Sequence, residues 1–397
     1  MRLKLPATIA ILTLALAGCR LVPDTQTPPT TPPAATPANA LAAGVRAGPP
    51  VASLGLRPAN ALAALASFRE SCPQLLSRSD ASGLTSGSQW EPACTAARGS
   101  GQGDAAAFFD RYFETARVGE GAAFATGYYE PEIAGSREHL PSHDVSVYAP
   151  PPELERGWPD EIPEAERTGR APLGRRDAAG KFVPYYERAE IEAGALANRG
   201  LEIAWVADPL EFFFLQIQGS GRLIAPDGTV TRIGYAGQNG REYVGIGKVM
   251  RERGLVGEGT PYPTSMQGLM AWLRDHPGQA REITDLNKSW IFFRVLTGDG
   301  PLGALNVPVR RESSVATDPA FVPLGAPVWL DMDRTEADGL WIAQDTGGAI
   351  KGANRFDTFW GAGADARVIA GGMSTRGQAL VLLPKGTVAR LTAPADR

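Results

Sequence analysis

The chain has 397 residues, with 39 Lys and Arg against 43 Asp and Glu and a formal net charge of −4. No basic block or Lys/Arg stripe breaks that balance, which argues against a nucleic-acid partner. His139, His143 and His276 are scattered, and no His, Cys and carboxylate cluster has metal-ligand spacing, so no metal site is expected.

In chain order, Met1-Arg2-Leu3-Lys4 is a short basic leader. Leu5 to Ala17 is an apolar run, well short of the roughly 20 residues that a membrane-spanning helix needs. The run ends in Leu16-Ala17-Gly18-Cys19. Small residues before a lone Cys resemble the bacterial lipobox, in which the thiol is lipidated and the leader removed. Residues 1–18 then form a lipoprotein signal peptide, with Cys19 as the lipidation site. Several acyl chains hold a protein firmly where one does not. Arg20 rather than Asp follows the cysteine, which favours the periplasmic face of the outer membrane. Residues 19–55 read as a tether, because the Pro/Thr-rich stretch Thr25 to Ala40 has no large apolar residue. The remaining cysteines, Cys72 and Cys94, are expected to form a disulfide in an oxidising compartment.

Roughly 340 residues are left, enough for two domains or one large one. Gly and Pro punctuate many short apolar runs, a mainly β pattern with some helices. Helices are expected at Ala61–Phe68 with Cys72–Leu76, and at Ala105–Phe113 continuing towards Ala116. Two more are expected at Tyr243–Arg253 and Ser265–Asp275, where Met266, Leu269, Met270 and Leu273 share a face. Strands are expected at Ile203–Val206, Glu211–Gln218, Ser289–Leu296, Ala326–Leu330, Leu340–Gln344 and Leu380–Leu383. The polar stretch 150–185 reads as loop.

The densest chemistry lies at residues 313–372. Asp345 precedes Thr346-Gly347-Gly348, a turn in which a carboxylate can bond backbone N–H groups. The segment Gly347 to Gly352 lacks the order of a phosphate-binding loop. Asp357 lies between Phe356 and Phe359-Trp360. An apolar setting raises a carboxyl pKa, as a glycosidic acid requires, although an Asp among aromatics is also a common structural group.

Asp318, Asp345 and Asp357 stand in Ala-Thr-Asp-Pro, Gln-Asp-Thr-Gly-Gly-Ala-Ile-Lys-Gly and Arg-Phe-Asp-Thr-Phe-Trp-Gly. These contexts resemble the three-aspartate domain that ends the membrane-bound lytic murein transglycosylase A family. Further motifs follow the family's order: Thr126-Gly127-Tyr128-Tyr129-Glu130-Pro131, Gln216-Ile217-Gln218-Gly219-Ser220-Gly221, Gly234 to Gly240 with Ile246-Gly247-Lys248-Val249, Ser265-Met266-Gln267, and Asn287 to Phe293. The resemblance covers about residues 120–385.

The resemblance implies a double-psi β-barrel domain (56–131 and 287–397, with N-terminal helices), a smaller inserted β-barrel domain at 132–286, and a groove between them. It implies cleavage of the β-1,4 bond between N-acetylmuramic acid and N-acetylglucosamine in peptidoglycan, with formation of a 1,6-anhydro ring and no cofactor. Asp357 would be the acid and base and Asp345 its support, or else a holder of the Gly-Gly turn. Thr126, Tyr128 and Tyr129 would line the groove. Gln216, Gln218 and Ser220 would alternate along a strand towards the glycan. Asp318 is counted with the substrate-binding residues, although its place before Pro319 suits a structural turn. Lys351 and Arg355 would be solvated or paired nearby. Implied partners are glycan strands, the membrane through the lipid anchor, and cell-wall synthesis proteins. A hydrolytic muramidase would need a second carboxylate, with Glu130, Glu132 and Asp365 as candidates. A non-catalytic glycan-binding lipoprotein would keep the groove and tolerate loss of Asp357.

Overall fold

A computed structural model describes residues 37–99, 105–298 and 300–393 of the chain. The leader, Cys19 and the start of the expected tether lie outside the described residues. Strands are numbered along the chain: β1 Val45–Ala47, β2 Phe113–Val118, β3 Ala122–Glu130, β4 Glu132–Ser136, β5 Val145–Tyr148, β6 Glu155–Arg156, β7 Leu173–Arg176, β8 Phe182–Pro184, β9 Glu202–Val206, β10 Ser220–Ile224, β11 Val230–Gln238, β12 Ile291–Leu296, β13 Ser314–Ala316, β14 Pro327–Met332, β15 Gly339–Asp345, β16 Arg355–Ala362 and β17 Ser374–Pro384.

The first sheet closes on itself. Around the ring β17 pairs β14, then β15, β13, β16 and β3 follow, and β3 returns to β17. The β13–β15 and β16–β3 pairs are parallel and the others antiparallel. The second half of β17 also pairs β2, and β1 adds outside it. Folded structure therefore starts before residue 55, where the tether was expected to end. Asn39 caps a short helix, Ala40–Ala43, by accepting from the Ala42 N–H, and Ala40 and Val51 are buried.

The helix Pro58–Ser77 starts with Pro at its first turn, where no N–H is needed. Its buried residues Ala61, Ala64, Leu65, Phe68, Cys72 and Leu75 recur every three or four positions, making one apolar stripe. That stripe packs on β15 and on the helices Gly87–Gly99 and Ala105–Tyr112, and Cys72 is bonded to Cys94. The helix at 105 does not continue to Ala116. Phe113 to Val118 become β2, because β17 offers a long-range strand partner that local helix propensity does not outweigh.

The second sheet runs β12-β11-β10-β4-β9-β5, and its end strands β5 and β12 come close together, so the sheet curls. It includes β12, ten residues beyond the boundary expected at 286. Residues 150–185, expected as loop, contain the small sheet β6-β7-β8. The expected strand Glu211–Gln218 is instead the helix Pro209–Gln218. Asp208 caps it by accepting from the Leu210 and Glu211 N–H groups, Pro209 opens it, and Gly219 ends it at φ 77°. Its aromatic run serves two cores: Phe212 and Leu215 enter that of the second sheet, while Phe213 and Phe214 enter the cluster built on the helices Ile246–Glu252, Met266–Asp275 and Pro277–Asp285. No helix among the described residues is long and apolar enough to cross a membrane.

Candidate active site

The parallel register of β3 and β16 sets Thr126 beside Asp357. Thr126 Oγ1 donates to Asp357 Oδ1 at 2.6 Å. Phe356, Thr358, Phe359 and Trp360 around the aspartate are buried, while Asp357 itself is partly exposed. Burial pushes its carboxyl from 3.8 to about 6. The Thr126 bond and the Arg355 charge pull it down, and the Asp345 charge pushes it further up. Oδ2 receives no hydrogen bond from the protein among the described residues.

Asp345 ends β15, and its oxygens are more heavily engaged. Oδ1 accepts from the Ala304 N–H at 2.9 Å and the Thr346 N–H at 2.8 Å, and Oδ2 accepts from the Tyr128 hydroxyl at 3.0 Å. Burial raises this carboxyl too, against those three bonds. The Tyr128 phenol is held well above its ordinary value by burial, then by the charges of Asp345 and Asp357. Asp318 holds backbone: Oδ1 accepts from the Ala320 N–H at 3.1 Å and Oδ2 from the Gly352 N–H at 2.8 Å. It therefore ties down the turn after Asp345 and has no oxygen turned to a substrate-binding role.

Thr126 and Tyr128 alternate onto the face of β3 that meets the aspartates. Tyr129 points the other way. It is 4% exposed and packs in the main hydrophobic core; burial raises its phenol to about 12. Gln216 and Gln218 are helical, so they do not alternate along a strand with Ser220, which alone of the three belongs to β10. Gln216 is buried and accepts from Arg188 Nη2 at 2.6 Å, while Gln218 accepts from the Tyr129 N–H at 3.0 Å. Both amides hold the protein together. Ser220 is buried.

The three carboxylates considered for a hydrolytic reaction are paired. Glu130 is buried against Arg232 at 2.8 Å, Glu132 bonds Arg222, and Asp365 bonds Arg311 at 2.7 Å.

Three further residues contribute, of which Arg188 and Tyr243 were not foreseen. Arg188 is 2% exposed; it donates to the carbonyls of Asn287 and Ser289 and lies over Phe213 and Trp290. It fastens the second sheet to the helix bearing Gln216. Arg355, expected solvated or paired nearby, is paired, with Thr126. Tyr243 is 36% exposed, and its phenol is raised by burial and then by the Asp357 charge, so it lies within electrostatic reach of that carboxyl. Only its aromatic type beside Gly240 and Gly245 signalled it in the sequence.

Asp357, raised to about 6 and with one oxygen free of protein partners among the described residues, is equipped to give and take a proton beside the closed first sheet. The model of the MltA specific insert domain matches residues 124–294, and that of the 3D domain matches residues 313–383. The structure of MltA from Neisseria gonorrhoeae superposes with a TM-score of 0.67 at 35% identity, covering 85% of this chain and 90% of that one. E. coli MltA with bound chitohexaose superposes at 0.59 with 25% identity, covering 85% and 92%. The membrane-bound lytic murein transglycosylase A of Vibrio cholerae is 35% identical over 195 residues, 46% of this chain and 52% of that protein. The chain thus spans about half the length of that curated relative. It belongs to the MltA family, with a 3D domain.

Proposed function

We propose that the chain is a lytic transglycosylase of peptidoglycan, cleaving the β-1,4 bond between N-acetylmuramic acid and N-acetylglucosamine with Asp357 as both acid and base. One observation carries the reading: Asp357 alone among the three aspartates has an oxygen without a protein partner. Ordinary glycosidases use a second carboxylate, as nucleophile or to activate water. Here Glu130, Glu132 and Asp365 are held by arginines, and Asp345 is committed to three donors. An internal nucleophile removes the need for one.

The proton on Asp357 passes to the glycosidic oxygen as its bond to C1 of the muramyl sugar breaks. The C6 hydroxyl oxygen of the same sugar bonds to C1, and its proton returns to the carboxylate. The attack is intramolecular, so its entropy cost is met by holding the ring in a bent pucker. The negative Asp345, fixed by Tyr128 and two backbone donors, steadies the positive charge that develops at C1. Oligosaccharide binding to this fold is supported by the E. coli relative's complex with chitohexaose. Lipidation at Cys19 would place the enzyme on the periplasmic face of the outer membrane, and the relatives are named membrane-bound.

The test is mass analysis of purified sacculi digested by wild type and by Asp357→Asn. Anhydro fragments, lighter by one water than hydrolytic products, are expected from the wild type and not from the variant. Hydrated ends, or unchanged clearing by Asp357→Asn, would refute the assignment.

A further inference from the structure

Arg355 lies two residues before Asp357 on β16, and the parallel register pairs Arg355 with Phe124 just as it pairs Asp357 with Thr126. Side chains two apart on a strand leave the same face, so all four sit together. The guanidinium lies 4.9 Å over the Phe124 ring, which Arg376 also approaches at 5.0 Å. Arg355 Nη1 donates to the Phe356 carbonyl, and Nη2 donates to Thr126 Oγ1 at 2.9 Å. The guanidinium is thus held at both ends and against a ring.

That geometry favours one direction for the next bond. A guanidinium has donors only, so Thr126 Oγ1 must accept from it. The hydroxyl owns one proton, and Asp357 Oδ1 lies 2.6 Å away to receive it. With that proton directed to it, Oδ1 is the accepting oxygen of the carboxyl. The acid's own proton is left to Oδ2, the oxygen without a protein partner.

We propose that Arg355, acting through Thr126, is a positioning residue that keeps the acid proton on Oδ2 of Asp357 and aims it at the glycosidic oxygen. The inference rests on Asp357 as the acid. Charge adds to orientation. The groups whose charge or titration couples to Asp357 are Arg355 on its own strand, Asp345 on β15, and the phenols of Tyr128 on β3 and Tyr243 in the segment after β11. Arg355 is the cation among them, and it opposes the upward push of burial on the carboxyl.

The experiment compares wild type, Arg355→Met, Arg355→Lys and Thr126→Val on purified sacculi across pH, with thermal melts of each. Activity requires protonated Asp357, so the wild-type kcat/KM falls as pH rises through about 6. In Arg355→Met that fall moves up by about one pH unit, as expected for loss of an opposite charge. Its kcat at pH 5, where the acid is protonated, drops roughly tenfold with KM unchanged, a fraction of what a positioned acid supplies. Arg355→Lys keeps the charge and leaves the fall near the wild-type position. Thr126→Val breaks the link while keeping the guanidinium charge, and lowers kcat as Arg355→Met does. If Arg355→Met does not fold, the Lys and Val variants decide. Wild-type kcat with an unmoved pH fall in Arg355→Met, or in Thr126→Val, would overturn the inference. Persistent anhydro products from Asp357→Asn would instead overturn the choice of acid.

Discussion

Asp357→Asn should make the protein more stable, and only at a pH where the aspartate would be charged. The folded carboxyl titrates at about 6, against 3.8 in an unfolded chain. Between those values the folded state binds more protons, so stability falls as pH rises through 6. The group's contribution is fully present below 3.8 and gone above 6. Two pH units correspond to about 3 kcal/mol. The side chain is partly open to water, which screens the cost, so about 2 kcal/mol is the expected gain at pH 8. Asparagine keeps an Oδ1 that accepts from Thr126, so the hydrogen bond survives. For a body of this size the gain is a melting-temperature rise of about 3 °C. Calorimetry of wild type and variant at pH 4 and pH 8 reads it directly. A difference equal at both pH values, or a less stable variant at pH 8, would refute the claim that burial raises this carboxyl.

Tyr128→Phe removes one of the three donors to Asp345. It should cost about tenfold in kcat if Asp345 steadies developing charge; a loss of melting temperature with unchanged kcat would make Asp345 a turn holder only. Replacing both Cys72 and Cys94 with Ala opens a bridge spanning 22 residues, and should lower stability by about 3 kcal/mol in urea denaturation while kcat at 25 °C stays near wild type.

What could be read in the sequence follows from the range of the forces involved. The buried setting of Asp357 was legible because its aromatic neighbours are adjacent along the chain, and side chains that bury together there leave a local trace, whereas its role as the acid came from the resemblance. The strands at 203–206, 326–330, 340–344 and 380–383 were legible for the same reason. Glu211–Gln218 misled: phenylalanines and Ile favour a strand, but Asp208-Pro209 ahead and Gly219 behind set a helix with two apolar faces, each with its own core. Signals at the ends outweighed composition in the middle. The Thr126–Asp357 bond spans 231 positions and depends on a parallel register that no local pattern encodes. Arg188 was missed because a buried arginine looks like a surface one until its partners, on other elements, are known.

The last strand of the barrel carries a consequence for how the molecule comes into being. Ser374–Pro384 pairs with β3, β14 and β2, so two elements from the first third of the chain wait for a strand more than two hundred residues later. Such high contact order makes folding slow, because chain entropy is lost before any contact repays it. Until that strand arrives, β3 and β14 present open edges, which invite pairing with other copies. A chain emerging through a membrane N-terminus first would carry that exposure through nearly its whole transit, so holdase protection before closure would matter more to its yield than the stability of the finished barrel.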